Sequence, residues 1–175
     1  MSRILVVCYS RGGTTLEVAS RIAERCGADL ELIKDRTPRD GVLGWLRSSF
    51  EAVLRRQSWI QPPRRAVGDY ALVIVGTPVW AGRMASPVRS YLLRQQGRLR
   101  RVALFCTHGG RGGDKVLAEM AALCGRRPRA TLSLAVRNLA ALGHDPELAR
   151  FVSRVTGDRE TPTTAGAPLS DHAGL

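Results

Sequence analysis

Apolar residues along this chain alternate between short continuous runs and longer stretches in which they recur every three or four positions. The runs Ile4-Leu5-Val6-Val7-Cys8, Leu72-Val73-Ile74-Val75 and Val102-Ala103-Leu104-Phe105-Cys106 have the character of strands buried on both faces. With two weaker runs they predict strands at residues 3–9, 29–34, 71–76, 102–107 and 131–136. Helical spacing predicts helices at 14–26, 42–57, 87–96, 113–124 and 146–155, the last announced by Asp145 as a cap and Pro146 in the first turn. In the 42–57 stretch Val42, Leu46, Phe50, Val53 and Leu54 share one face, which suits a crossover helix lying on its own sheet. Regular alternation of strand and helix implies a doubly wound α/β domain, a five-stranded parallel sheet between two helical layers, spanning residues 1–157. From 158 to 175 the apolar period vanishes, and a flexible tail is expected.

The polar segments that follow three of the strands carry the chemistry. Ser10-Arg11-Gly12-Gly13-Thr14-Thr15 joins a buried strand directly to a helix start, with hydroxyls and glycines and no bulky apolar side chain. Helix N–H groups without partners point back at such a loop, so an anion, a phosphate above all, is the expected guest. The run lacks the Gly-x-Gly-x-x-Gly of a dinucleotide loop and the glycine-lysine pair of a triphosphatase loop. Cys8 stands where a low-molecular-weight tyrosine phosphatase holds its nucleophile, but Thr14 occupies the place of the arginine that chemistry needs, so Cys8 reads as core. After the third strand comes Gly76-Thr77-Pro78-Val79-Trp80-Ala81-Gly82, and after the fourth Thr107-His108-Gly109-Gly110-Arg111-Gly112-Gly113. In an open parallel sheet the carboxyl ends of the strands form the ligand crevice, so all three loops should meet at one site.

The first loop, with Ser10, Gly13 and Thr15 in register, resembles the phosphate loop of the flavodoxin family, and the Gly-Thr-Pro-x-Trp-x-Gly stretch resembles that family's second flavin loop. Gly12 replaces a family threonine, and His108 with its glycines stands where many members carry a tyrosine over the flavin. The resemblance covers residues 3–155 and implies the flavodoxin-like fold with strand order 2-1-3-4-5 and flavin mononucleotide (FMN) as cofactor. It implies that Ser10, Arg11, Gly12, Gly13, Thr14 and Thr15 hold the phosphate. Thr77, Pro78, Val79, Trp80, Ala81 and Gly82, with Thr107, His108, Gly109 and Gly110, would line the ring, Trp80 giving it an aromatic face. No residue is assigned a catalytic role, and His108, His144 and His172 are too scattered to form a metal site.

Three functional classes remain open at this level. The chain reads first as an electron-transfer flavoprotein, next as an NAD(P)H-dependent quinone or flavin oxidoreductase of the same fold, and last as a flavin-free binding protein that kept the fold. The formal net charge is +12, with 27 basic and 15 acidic residues, the reverse of the acidic flavodoxins. Of the 27 basic residues 25 are Arg, and with the Ala and Gly richness the charge reads as compositional bias; an acidic redox partner protein or an anionic substrate is the alternative, and nucleic acid is not expected, because no binding motif accompanies the charge. Cys8, Cys26, Cys106 and Cys124 show no Cys-x-x-Cys spacing, and the first apolar run is too short for a signal peptide or membrane span. Cytoplasmic location is expected.

Overall fold

The computed structural model describes residues 3–35, 58–137 and 145–157. The expected helix at 42–57, the tail from 158, His144 and His172 lie outside the described residues.

Strand β1 (Ile4–Cys8) is buried along its whole length and is the middle of the parallel sheet's first half. It pairs with β2 (Asp29–Leu32) on one side and β3 (Leu72–Trp80) on the other, with Val6 opposite Leu30 and Ile74. Beyond β3 lie β5 (Val102–His108) and β6 (Thr131–Ala135), giving the order β2-β1-β3-β5-β6. A further two-residue strand, β4 (Arg83–Met84), runs antiparallel to the end of β3. Leaving that short strand aside, the order is the expected 2-1-3-4-5.

The alternation of strand side chains sorts the core into two layers. Leu5, Val7, Val73, Val75 and Leu104 face one cluster, which takes Val88, Tyr91 and Leu92 from helix α2 (Ser86–Gln95) and Val116 and Met120 from α3 (Gly113–Cys124). Ile4, Val6, Cys8, Ile74 and Phe105 face the other, which takes Val18 and Ile22 from α1 (Thr14–Cys26) and Leu148 and Phe151 from α4 (Pro146–Thr156). The sheet is therefore wound on both sides, and it changes direction between β1 and β3, where such folds open a crevice at the strand carboxyl ends.

Local signals set most boundaries. The bounds of α1 and α3 are those the periodicity predicts, each closed by a left-handed glycine, Gly27 and Gly125. Asp145 caps α4 by accepting from the N–H groups of Glu147 and Leu148 at 2.8 and 3.0 Å. Strand β3 departs from expectation, because the Gly-Thr-Pro sequence predicts an end at 76 whereas the strand continues to Trp80. The added residues find partners on both sides: Thr77 and Pro78 lie opposite Cys106 and Thr107, and Val79 and Trp80 opposite Met84 and Arg83.

Gly76 sits opposite Phe105, and a Cβ at this position would lie 2.0 Å from the phenyl Cζ. The glycine is the space that the ring fills.

Candidate functional site

The carboxyl ends of β1, β3 and β5 bring the three polar segments side by side, with Cys8 opposite Gly76 and Pro78 opposite Thr107. All sixteen residues implied as ligand contacts thus belong to one end of the sheet, although their side chains have different roles there.

The first loop turns into α1 through Gly13, whose φ of 88° is a left-handed conformation suited to glycine. Gly112 enters α3 in the same way, with φ of 86°. Neither helix has a side-chain cap, in contrast to α4, so two helix N-termini present unclaimed N–H groups at this end of the sheet. Arg11, Gly12 and Gly13 are exposed, and a Cβ on either glycine would meet no heavy atom within 4 Å. The Ser10 hydroxyl is buried yet has no hydrogen-bond partner. Ser10 opens the loop that leads into α1.

Three of the four threonines in these segments, Thr15, Thr77 and Thr107, are buried, and Thr14 is half-buried. Thr15 and Thr107 are both buried, and their hydroxyls share a 2.9 Å hydrogen bond across 92 residues of sequence. This bond uses one of the two hydroxyl protons. Thr77 is fully buried, accepts from the Ala85 N–H at 3.0 Å and donates to the Pro78 carbonyl at 2.9 Å. It ties β3 to the start of α2 and so fixes the hairpin that carries Trp80.

That hairpin turns through Ala81 and Gly82, both at positive φ (46° and 71°), as tight two-residue hairpins require. Alanine in this region is strained, at a cost on the order of 1–3 kcal/mol, and the turn persists because strand pairing and Thr77 hold both its arms. Trp80 is half-buried, and Tyr9 meets its ring edge-to-face with centroids 5.6 Å apart and planes at 89°. The indole is braced on one side and partly open on the other, the arrangement a stacking platform needs.

The third loop is braced by His108. Its Nδ1 accepts from the Gly110 N–H at 3.1 Å, so the proton of the neutral ring sits on Nε2 and is donated to Ser133 Oγ at 3.0 Å. Both ring nitrogens are occupied in shaping the loop. Gly109 and Gly110 are exposed with open space where side chains would be, and Gly112 approaches the hairpin at Gly82. Arg11, Arg83 and Arg111, one from each segment, place positive charge at this end of the sheet.

Two contributors had weak sequence signals. Tyr9 closes the first apolar run and is legible as an aromatic before the loop, whereas Ser133 reaches His108 from β6 and has no local motif. Cys8 lies wholly in the core, where burial pushes its thiol up to about 12, so it is protonated and inert near neutral pH. Burial likewise raises the Cys106 and Cys124 thiols to about 11. Among the described residues no group of His, Cys, Asp or Glu is arranged to hold a metal ion, and no helix is long and apolar enough to cross a membrane.

Comparison with known proteins agrees with this fold. The family model described as Flavodoxin matches residues 3–131. A flavoprotein from Lactobacillus acidophilus, crystallised in complex with FMN, is similar over 82% of this chain and 99% of its own, with 19% identity and a TM-score of 0.67. A flavoprotein described as putative, from Bacteroides uniformis, is similar over the same shares, with 18% identity and a TM-score of 0.69. An NADH:FMN oxidoreductase matches 93% of this chain and 94% of its own, with 15% identity and a TM-score of 0.54. A search of curated protein sequences gives no match.

Proposed function

We propose, from the premise that this chain belongs to the flavodoxin family, that it binds one FMN at the carboxyl ends of β1, β3 and β5 and serves as an electron-transfer flavoprotein. The observation that carries this reading is the buried Ser10 hydroxyl without a partner, at the head of a loop whose open glycines lead into the uncapped start of α1. A phosphate there would satisfy the hydroxyl and the helix N–H groups together. The fit extends to the ring, since Trp80 offers a braced indole and Gly109 and Gly110 leave room for a flat tricycle.

Each residue has a definable task. Ser10 and the N–H groups following Gly13 bind and orient the phosphate, Arg11 adds positive charge, and Trp80 supplies the stacking face. Thr77, Tyr9 and the Ala81-Gly82 turn position Trp80. His108 holds the third loop rather than delivering a proton, because protonating Nδ1 would break its bond from Gly110. Bound FMN supplies one- and two-electron redox chemistry, and the protein supplies orientation and electrostatics. An acidic redox partner suits the three arginines at this end, and the four buried free cysteines suit a reducing, cytoplasmic setting.

The test is a selective effect of one substitution. Ser10→Ala should weaken FMN at least tenfold, the loss of a hydrogen bond to a charged group worth about 1.5–3 kcal/mol, and leave riboflavin, which lacks the phosphate, within twofold. The same change should leave the folding stability of the flavin-free protein within about 0.5 kcal/mol, because Ser10 is only half-buried and opens an exposed loop. Titration of flavin fluorescence and urea unfolding measure the two. Equal loss for both flavins would move the phosphate elsewhere, and failure to take up FMN at all would favour a flavin-free binding role.

A second reading, an NAD(P)H-dependent quinone or flavin oxidoreductase, draws on the unobstructed glycines of the third loop. The carrier reading is preferred because no Gly-x-Gly-x-x-Gly run occurs in the sequence. Mixing FMN-loaded protein with NADH or NADPH should therefore bleach the flavin slowly, below about 1 per second, under the usual enzymatic range of roughly 1–1000 per second. Fast bleaching followed by many quinone-dependent turnovers would establish the oxidoreductase instead.

A further inference from the structure

The positive charge gathers at the pole opposite the flavin site. Arg100, Arg101, Arg126, Arg127 and Arg129 line a cleft of about 340 Å³ floored by Val102 and Gly125, where β5 begins and α3 ends. A second cleft of about 580 Å³ is lined in part by Arg64, Arg65, Arg98 and Arg100, so Arg100 belongs to both. No carboxylate lines either cleft among the described residues.

Helix ends explain part of this basic character. α1, α2, α3 and α4 all finish at this pole, and each C-terminus carries roughly half a negative charge, about −2 together. Asp29 is shared between Arg65 at 3.1 Å and Arg3 at 3.0 Å, Glu31 accepts from the backbone N–H groups of Arg64 and Arg65, and Arg129 Nε donates to the Arg154 carbonyl at 2.7 Å. Of the eight arginines that line the two clefts, Arg98, Arg100, Arg126 and Arg127 lie beyond those terms. Arg98, Arg100, Arg101, Arg126 and Arg127 are exposed. A strong positive potential therefore remains in a recessed, elongated surface.

We propose that this double cleft is a sequence-independent docking groove for the sugar-phosphate backbone of a nucleic acid, with Arg100 at its middle. Guanidinium forks bind phosphate in bidentate fashion, and two clefts joined at one arginine suit a linear polyanion better than a single phosphate. A protein partner of stable affinity needs aromatic or aliphatic anchors. The exposed large hydrophobics among the described residues are Trp59 and Val136, and neither lines the clefts. A membrane surface is planar and meets basic residues that protrude, whereas these arginines line clefts. The expectation against nucleic acid rests on the absence of a base-reading motif, but backbone docking needs none. β5 runs seven residues at about 3.3 Å each, so the groove and the flavin end lie about 20 Å apart. The inference is independent of the flavin reading.

The test uses the full chain and a fluorescein-labelled 20-base-pair DNA duplex in an anisotropy titration. At 50 mM salt binding should be micromolar, and it should weaken by about 10- to 100-fold at 200 mM, as expected for a few phosphate contacts. The triple change Arg100→Gln, Arg126→Gln and Arg127→Gln should weaken binding at least tenfold and lower the salt slope by about 1 per arginine. A control triple that removes equal charge elsewhere, Arg21→Gln, Arg137→Gln and Arg150→Gln, should stay within twofold. Should the first triple not fold, Arg100→Gln and Arg127→Gln taken singly carry the same slope test. Equal losses in both triples would reduce the effect to net charge and overturn the groove. So would no binding at 50 mM salt, or tighter binding of polyglutamate or phosphatidylglycerol vesicles than of the duplex.

Discussion

Glu119→Ala is expected to cost about 3–5 kcal/mol of folding stability, a large fraction of what holds a domain of this size together. Glu119 on α3 pairs with Arg89 on α2, and their side chains are only 14% and 9% exposed. Removing the carboxylate leaves a guanidinium in the helix layer with its charge uncompensated, and that desolvation penalty exceeds the value of the pair itself. The melting temperature should fall by roughly 6–20 °C, taking about 2–4 °C per kcal/mol for a protein of this length. Replacing both partners, Arg89→Met with Glu119→Leu, should recover most of the loss, since no buried charge then remains. Urea unfolding of the three variants measures this. A loss below about 1 kcal/mol for the single change would show that water reaches Arg89 and solvates it.

Gly76→Ala should cost about 2–4 kcal/mol, although alanine is otherwise a mild replacement for glycine in a strand. Three ring atoms of Phe105 lie 2.0–2.6 Å from where the new methyl would be, and Phe105 is fully buried among the residues that face α1 and α4. The ring can yield only by leaving its rotamer or pushing β3 from β5. Phe105→Leu in the same chain should therefore restore part of the stability lost, with a coupling energy of about 0.5–3 kcal/mol in a double-mutant cycle. Additive effects of the two changes would mean that ring and methyl do not compete for one space. Because Gly76 begins the segment leading to Trp80, flavin affinity should fall in Gly76→Ala and recover with stability in the double variant.

How much of this was legible before the fold was known depends on how local each cause is. Helices α1 and α3 are set by their own apolar spacing and closing glycines, and α4 by Asp145 and Pro146, so their bounds follow from a few neighbouring residues. The sheet order required only alternating elements and a family resemblance. The extension of β3 was not legible, since glycine and proline at 76 and 78 are ordinary strand stops and the continuation depends on partners in β5 and β4.

The candidate site divides in the same way. Sequence alone determined that three hydroxyl- and glycine-rich segments follow three buried strands, because residue type and order carry that information directly. Only the tertiary structure decided which hydroxyls are spent on partners within the protein. Thr15 and Thr107 close on each other across 92 residues, and Thr77 anchors α2, while Ser10 is left buried without a partner. Likewise the count of arginines was fixed by the sequence, but their gathering was not. Pairing of β5 with β6 brings Arg100 and Arg101 beside Arg126, Arg127 and Arg129, and a contact between distant residues exists only once the strands between them have chosen neighbours.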